Sequence, residues 1–350
     1  MKVNNKIIII LLVGLFFFII YKNYRIKPIK KRNIEDPKEI TWFLENSMPF
    51  VNAGAENVAH VFNLYLIEHG YKINVVGNWD EQVYENVNYI NSSNTEDVED
   101  AVDRSRIVCS QLSQSTFTVK LAKKENKKVI IFVHSLDNNR KIINNYKNII
   151  DPSQLLVVFN SESIKTNFDE SINSFILYPP VDCSKYITKT QNTYVTVVNV
   201  SKLKGGNHLI AIAKKMPNIK FLAVKGGYDK QIIDKSVTNI TYVENTKDMR
   251  SIYAQTDILL IPSNPETWGR TATEAMCSGI PVIAHPTEGL KENMKEAGIY
   301  IDRDNIEEWV AKIYELKEDR NKYNKKVEEC KKRSKELNSE KQLEGLLCVL

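Results

Sequence analysis

The chain has little of what small secreted folds and zinc-bound folds are built from. Only five cysteines occur in 350 residues: Cys109, Cys183, Cys277, Cys330 and Cys348, odd in number and widely scattered. No pair shows metal-ligand spacing and no disulfide framework is visible, which accords with a reducing compartment. No convincing internal repeat or low-complexity tract appears, so a solenoid is not indicated. Acidic residues are missing from the first 32 positions, which hold eight basic ones: Lys2, Lys6, Lys22, Arg25, Lys27, Lys30, Lys31 and Arg32. Removing those eight from 48 leaves 40 basic against 43 acidic residues, so the body carries a formal charge of about −3. The basic pI of 8.7 therefore implies no nucleic-acid partner. At 43% hydrophobic residues the chain can supply a core for each of two ordinary domains.

A membrane span of full length is also missing. The apolar run Ile7 to Ile20 has 14 residues and ends at Tyr21, against the roughly 20 that a span requires. No small-residue cleavage site follows it, and lysines stand at both ends where they can snorkel. The expectation is an uncleaved single-pass anchor, Ile7 to Tyr21, with residues 22–32 drawn to anionic lipid. Two lysines precede the run and six basic residues follow, which places the body on the cytoplasmic side. Sequons at Asn91, Asn199 and Asn239 point the other way, but such triplets arise readily in a chain this rich in Asn.

What the remainder does have is alternation. Short apolar runs such as "EITWFL", "KINVV", "RIVCS", "VIIFVH" and "LLVVF" are separated by helical patterns, for example Val58, Val61, Phe62, Tyr65 and Leu66, ended by Gly70. Continuous apolar strands between helices predict a parallel sheet buried on both faces. "LYPPVDCSKYITKTQNT" breaks the rhythm and reads as an interdomain connection. The pattern then restarts with "TYVTVV", "FLAV", "ITYV", "DILLI" and "PVIA", and a final helix carries Ile306, Trp309, Val310, Ile313 and Tyr314 on one face. The expected organisation is an anchor over 1–34, a Rossmann-like domain over 35–183, a second over 184–333, and a tail over 334–350 packing back on the body. From Arg320 to Lys341 a solvated helix with a thin apolar stripe should lie across the domains. Ligand belongs in the cleft between the carboxyl ends of the two sheets.

The chemistry concentrates in "PETWGRTATEAMCSGIPVIAHPTEG". Glu266 falls in the loop after "DILLIPS", and Glu274 falls inside a helix running from about Arg270 and closed by Gly279. The first-turn N–H groups of Gly269, Arg270 and Thr271 form an anion site, and carboxylates on either side suit vicinal hydroxyls. A nucleotide-sugar has that combination. "NVSKLKGGNHLI" adds Lys204, Gly205 and Gly206 at another helix start, where charge and backbone donors converge on a diphosphate. In the first domain Gly54 sits in the loop between the first strand and the first helix, where glycine permits close backbone approach to a ligand, and His134 of "FVHS" ends an apolar strand facing the cleft.

Together these segments resemble the retaining glycosyltransferases of GT-B fold, glycosyltransferase family 4, over about residues 40 to 320. The 265–289 stretch looks like the family's E-x7-E block, "AGAENVAHVFNLYLIEHGYKINVV" like its Gly-Gly-Ala-Glu element, and "NVSKLKGG" like its Gly-Arg-x5-Lys-Gly segment. "VVFNSESIKTNF" and "YPPVD" resemble family elements before the linker. The resemblance implies an α/β GT-B fold in which Glu274 binds ribose hydroxyls, Glu266 the donor sugar and Lys204 the diphosphate. It implies further that His134 touches the transferred sugar and Gly54 approaches the phosphates. Asn199 stands where the family has a phosphate-binding arginine, with Arg270 as a candidate substitute, and Asn52-Ala53 replaces the first glycine of the N-terminal pair.

The implied activity is transfer of a sugar from a UDP- or GDP-linked donor to a carbohydrate or lipid-linked acceptor hydroxyl. It would proceed with retention and without a metal or other cofactor, by front-side attack assisted by the leaving phosphate. The rivals are a catalytically inactive GT-B module that binds a sugar nucleotide or serves as a membrane scaffold, a sugar-nucleotide epimerase, and a glycoside hydrolase using Glu266 and Glu274. The hydrolase leaves Lys204 without a purpose.

Overall fold

The structure, a computed structural model, describes residues 38–136, 143, 146–337 and 339–350. The candidate anchor Ile7 to Tyr21 and the basic segment 22–32 lie outside them. Among the described residues no helix is long and apolar enough to cross a membrane.

The first sheet contains β1 (Glu39–Phe43), β2 (Lys72–Gly77), β3 (Gln82–Tyr84), β4 (Val87–Asn91), β5 (Ile107–Gln111), β6 (Lys128–Val133), β7 (Leu155–Phe159) and β8 (Ser174–Ile176), in the order β3-β4-β2-β1-β5-β6-β7-β8. Every pairing is parallel except that of β3 with β4. All residues of β1, β5 and β7 are buried, which is why these strands read as unbroken apolar runs. Helices α1 (Gly54–Glu68), α2 (Thr95–Arg104), α3 (Ser115–Lys124) and the short α4 (Glu162–Lys165) accompany this sheet. On the α1 face, Trp42 lies 5.0 Å from Phe132 and Phe62 lies 5.5 Å from Phe132, ring centre to ring centre. Phe43, Val108 and Ile131 fill the other face.

The second sheet, β9 (Tyr194–Val198), β10 (Phe221–Val224), β11 (Ile240–Val243), β12 (Thr256–Ile261), β13 (Val282–Ala284) and β14 (Ile299–Tyr300), runs in the order β11-β10-β9-β12-β13-β14 and is parallel throughout. Its helices are α5 (Gly206–Lys215), α6 (Met249–Tyr253), α7 (Arg270–Cys277), α8 (Glu288–Met294) and α9 (Ile306–Glu318). Trp309 and Ile313 of α9 are fully buried, as the one-sided apolar pattern predicts. The chain leaves β9 outward and returns on its other side at β12, so the loops after these two strands open a crevice at the switch point. That crevice collects residues 199–205 and 262–269. In the first sheet the same reversal falls between β1 and β5.

The highly charged stretch folds as α10 (Arg320–Glu336), followed by α11 (Ser339–Leu347). Its thin stripe is the packing surface: Tyr323 enters the core of the second domain, while Cys330 and Leu337 pack among Ala272, Ala275 and Met276 of α7. Leu343 and Leu346 of α11 join Phe62 and Leu66 in the first domain, so the chain ends against α1.

One expectation is overturned here. Cys183 and Cys277, 94 residues apart in sequence, form a disulfide with Cα atoms 5.3 Å apart. Proximity created by the second domain folding onto the linker leaves no trace in spacing, which is why the pair is invisible in the sequence. Cys109 and Cys330 are free and buried, and Cys348 is free and exposed.

Candidate functional site

The loop that follows β12 turns at Gly269, φ 80°, the residue before α7. The left-handed φ strains any side chain here, and an added Cβ would also press on Leu290 at 2.5 Å, so the position favours glycine. Its N–H donates to Glu266 Oε1 at 3.2 Å, which fixes one face of that carboxylate. The loop after β9 turns at Gly205, φ 91°, where an added Cβ would meet Pro262 at 2.3 Å. This close approach between the two loops delivers Lys204 to Glu266, Nζ to Oε2 2.5 Å. Lys204 remains one-third exposed and Glu266 14% exposed, so the pair can be reached by a ligand. Arg270 and Thr271 supply the first backbone groups of α7, a helix start with no side-chain cap. The structure thus unites Lys204, Gly205, Glu266 and Gly269, with the α7 dipole directed at the same point.

Glu274 stands differently. It is 2% exposed, its Oε1 is paired with Arg270 Nη1 at 2.8 Å, and its Oε2 accepts from the Tyr253 hydroxyl at 2.7 Å. Arg270 also donates through Nη2 to the Tyr186 hydroxyl, 2.8 Å, and lies 5.8 Å over that ring. Both carboxylate oxygens are therefore engaged, and a ribose diol can use only their second lone pairs. Burial, then Glu274, raises the Tyr186 and Tyr253 hydroxyls above their ordinary range, so both remain protonated donors.

His134 follows β6. Its Nε2 pairs with Gln111 Oε1 at 2.8 Å, and its carbonyl accepts from Thr267 Oγ1 at 2.8 Å. Asn160 Nδ2 also donates to Thr267 Oγ1, 2.9 Å, so the loop carrying Glu266 is tied to the first domain through two residues. Surrounding protein pushes the His134 imidazolium down to about 4 by desolvation, leaving a neutral ring at pH 7.

Gly54 begins α1, and the space where its Cβ would point is open. Two residues earlier Asn52, the apparent departure from a glycine pair, donates to Asn245 Oδ1 at 3.1 Å and to the Thr246 carbonyl at 2.9 Å. It is an interdomain latch. Asn199 is also accounted for by backbone: φ is 65°, and its Oδ1 accepts from Ser201 N–H at 3.1 Å. Asn adopts that left-handed turn far more readily than most residues. Its side chain fills the space beside Gly226.

Sequence reasoning missed Tyr253, Tyr186, Gln111 and Gln231. Gln231 Oε1 accepts from the N–H groups of Val200 and Gly226, 3.1 and 2.9 Å, closing the floor of the crevice. No periodic signal marks such residues, because each acts through a contact made only by tertiary folding.

With this geometry in view, residues 184–336 match the family model described as Glycosyl transferases group 1. The match falls on the second domain and covers less than half of the chain. Among curated proteins the chain is 27% identical over 121 residues to the sulfoquinovosyl transferase SQD2 of Arabidopsis thaliana, covering 32% of this chain and 24% of that one. It is 26% identical over 135 residues to the D-inositol 3-phosphate glycosyltransferase of Mycobacteroides abscessus, covering 34% and 30%. The chain spans less than half the length of these relatives. Anabaena HepE, solved in complex with UDP-glucose, superposes with TM-score 0.73 at 16% identity, covering 89% of this chain and all of the other. Sucrose-phosphate synthase from Thermosynechococcus elongatus gives 0.71 at 14% identity, covering 88% and 97%. These likenesses establish an α/β fold of GT-B type.

Proposed function

We propose that the protein is a glycosyltransferase that moves a sugar from a nucleoside-diphosphate donor to an acceptor hydroxyl with retention at the anomeric carbon and without a metal. The observation that carries the reading is the Lys204–Glu266 pair at the start of α7, within the matched domain. A departing diphosphate leaves negative charge where Lys204 and the helix start converge, and Glu266 accepts hydrogen bonds from the donor sugar. Glu274 holds the ribose, in the arrangement that Arg270 and Tyr253 impose. The neutral His134 ring can take or give a hydrogen bond to the transferred sugar without adding charge. Because lysine and backbone dipoles neutralise the leaving group, no divalent cation is needed at this site. HepE was solved in complex with UDP-glucose, which makes UDP-linked sugars the first donors to try here.

The carbohydrate or lipid-linked acceptor would lie against the first domain, toward Gly54. The basic-flanked run Ile7 to Tyr21 would hold the enzyme at a membrane, with the body on the cytoplasmic side. Calorimetry of UDP, GDP and their sugar conjugates with the full chain tests the reading. Micromolar binding of one nucleotide, lost in Lys204→Ala and in Glu274→Ala, is expected. Binding of none in the unaltered protein would leave only a GT-B scaffold, and sugar release without a nucleotide would point to a hydrolase.

A further inference from the structure

α7 is held at both ends. Its first turn carries Arg270 and its second Glu274, while its last residue, Cys277, is bonded to Cys183 in the connection between the domains. Three residues past Cys183 comes Tyr186, whose hydroxyl accepts from Arg270 and whose carbonyl accepts from Ser278 Oγ at 2.9 Å. Thr188 N–H donates to the same Ser278 oxygen, again at 2.9 Å. One covalent bond and three hydrogen bonds therefore clip residues 183–188 to this helix. Tyr186 and Arg270 line a groove of about 1060 Å3 between the two domains, bordered also by Asn52, His60, Lys247 and Leu343. Glu274 does not reach that groove; Arg270 and Tyr186 stand in front of it.

We propose that Cys183–Cys277 is a thiol–disulfide modification site whose oxidised form pins Tyr186 across Arg270 and Glu274, and whose reduction by a dithiol opens the nucleoside end of the donor site. The inference rests on the donor-site reading above. Both cysteines line the groove, and Cys183 is half-buried where Cys277 is buried, so Cys183 is the sulfur open to attack. A thiolate of the reductant bonds to Cys183 Sγ and Cys277 departs as a thiolate. The second thiol of the reductant then displaces Cys183. Two electrons and two protons pass from the dithiol, which becomes a disulfide, to the protein, which gains two thiols.

Once released, residues 183–188 keep only hydrogen bonds to α7, and Tyr186 can swing off the guanidinium. Arg270 stays paired with Glu274 Oε1 but gains room to turn its buried Nε, which has no partner in this structure, toward an arriving acceptor. A ribose diol gains the carboxylate that the oxidised form encloses. The arrangement also reconciles a disulfide with a body expected in a reducing compartment: the bond would mark an oxidised, closed state, and the working state would be the dithiol.

The test measures UDP affinity of the full chain by calorimetry before and after reduction with dithiothreitol, with free thiols counted in denaturant. Three thiols are expected before reduction and five after, since three cysteines are free and two are bonded. UDP should bind on the order of fivefold more tightly to the reduced protein. A Cys183→Ser, Cys277→Ser double variant should bind like the reduced protein without any reductant, and Tyr186→Ala should do so with the disulfide intact. Five thiols in untreated protein, or equal or weaker UDP binding after reduction, overturns the inference while leaving the donor site standing. Failure of UDP, GDP and their sugar conjugates to bind in both redox states overturns the donor-site reading and the inference with it.

Discussion

Glu266 and Glu274 lie within one short segment, yet the fold treats them as opposites. Glu266 has one cationic partner, Lys204, which is itself one-third exposed, and the pair opens on the crevice. Glu274 is 3% exposed at its side chain and is shared between a 15%-exposed arginine and a buried tyrosine. A carboxylate in a loop with a solvated partner costs little to hold and can exchange that partner for a ligand. A carboxylate inside the helix has been taken out of water and depends on Arg270 for its charge balance. The same residue type thus stands as an exchangeable loop contact at one site and as a carboxylate fixed in place by Arg270 and Tyr253 at the other.

The sharpest way to break the contrast is Arg270→Ala. It leaves Glu274 buried with no cationic partner, and a stability loss of about 3–5 kcal/mol is expected from urea unfolding. A loss near zero would mean that water already reaches Glu274 and that the two carboxylates are alike. Lys204→Ala should show the inverse pattern. Its effect on unfolding stays within about 1 kcal/mol, while the transfer rate falls roughly 10² to 10³-fold, or about 3 to 4 kcal/mol in the transition state. A variant that transfers normally would remove Lys204 from the diphosphate site.

Much of this architecture was legible before any coordinates. The apolar runs from Glu39 to Phe43 through Leu155 to Phe159 announce strands because parallel strands are buried on both sides. The start of α7 at Arg270 was legible too, since a glycine in a left-handed turn preceding a helix leaves a plain sign. Short edge strands such as β3 and β14 give no such sign: a strand of two or three residues has no period to detect. Side-chain roles were harder. Asn52 and Asn199 look like defects when set beside a motif, and become a latch and a left-handed turn only when Thr246 and Ser201 are in place. The disulfide and the Arg270–Tyr186 contact join segments separated by more than eighty residues, which no local pattern records.

The last contrast concerns acid. Glu266's loop is tied to the first domain through Thr267 and the carbonyl of His134, whose ring faces the neutral amide of Gln111 and no carboxylate. Desolvation holds that imidazole at about 4 in the folded protein, against about 6.5 in the unfolded chain. Between those values the unfolded chain binds a proton that the folded one refuses. The contribution of His134 is therefore fully present above 6.5 and is lost as pH falls toward 4, with a slope of at most about 1.4 kcal/mol per pH unit. His134→Gln keeps a side-chain donor for Gln111 and removes the titration. Urea midpoints followed from pH 7.5 down to pH 4.5 should converge for the two proteins in the acid range. Parallel curves would show that His134 is solvated in the folded state, and with it the loop that carries Glu266.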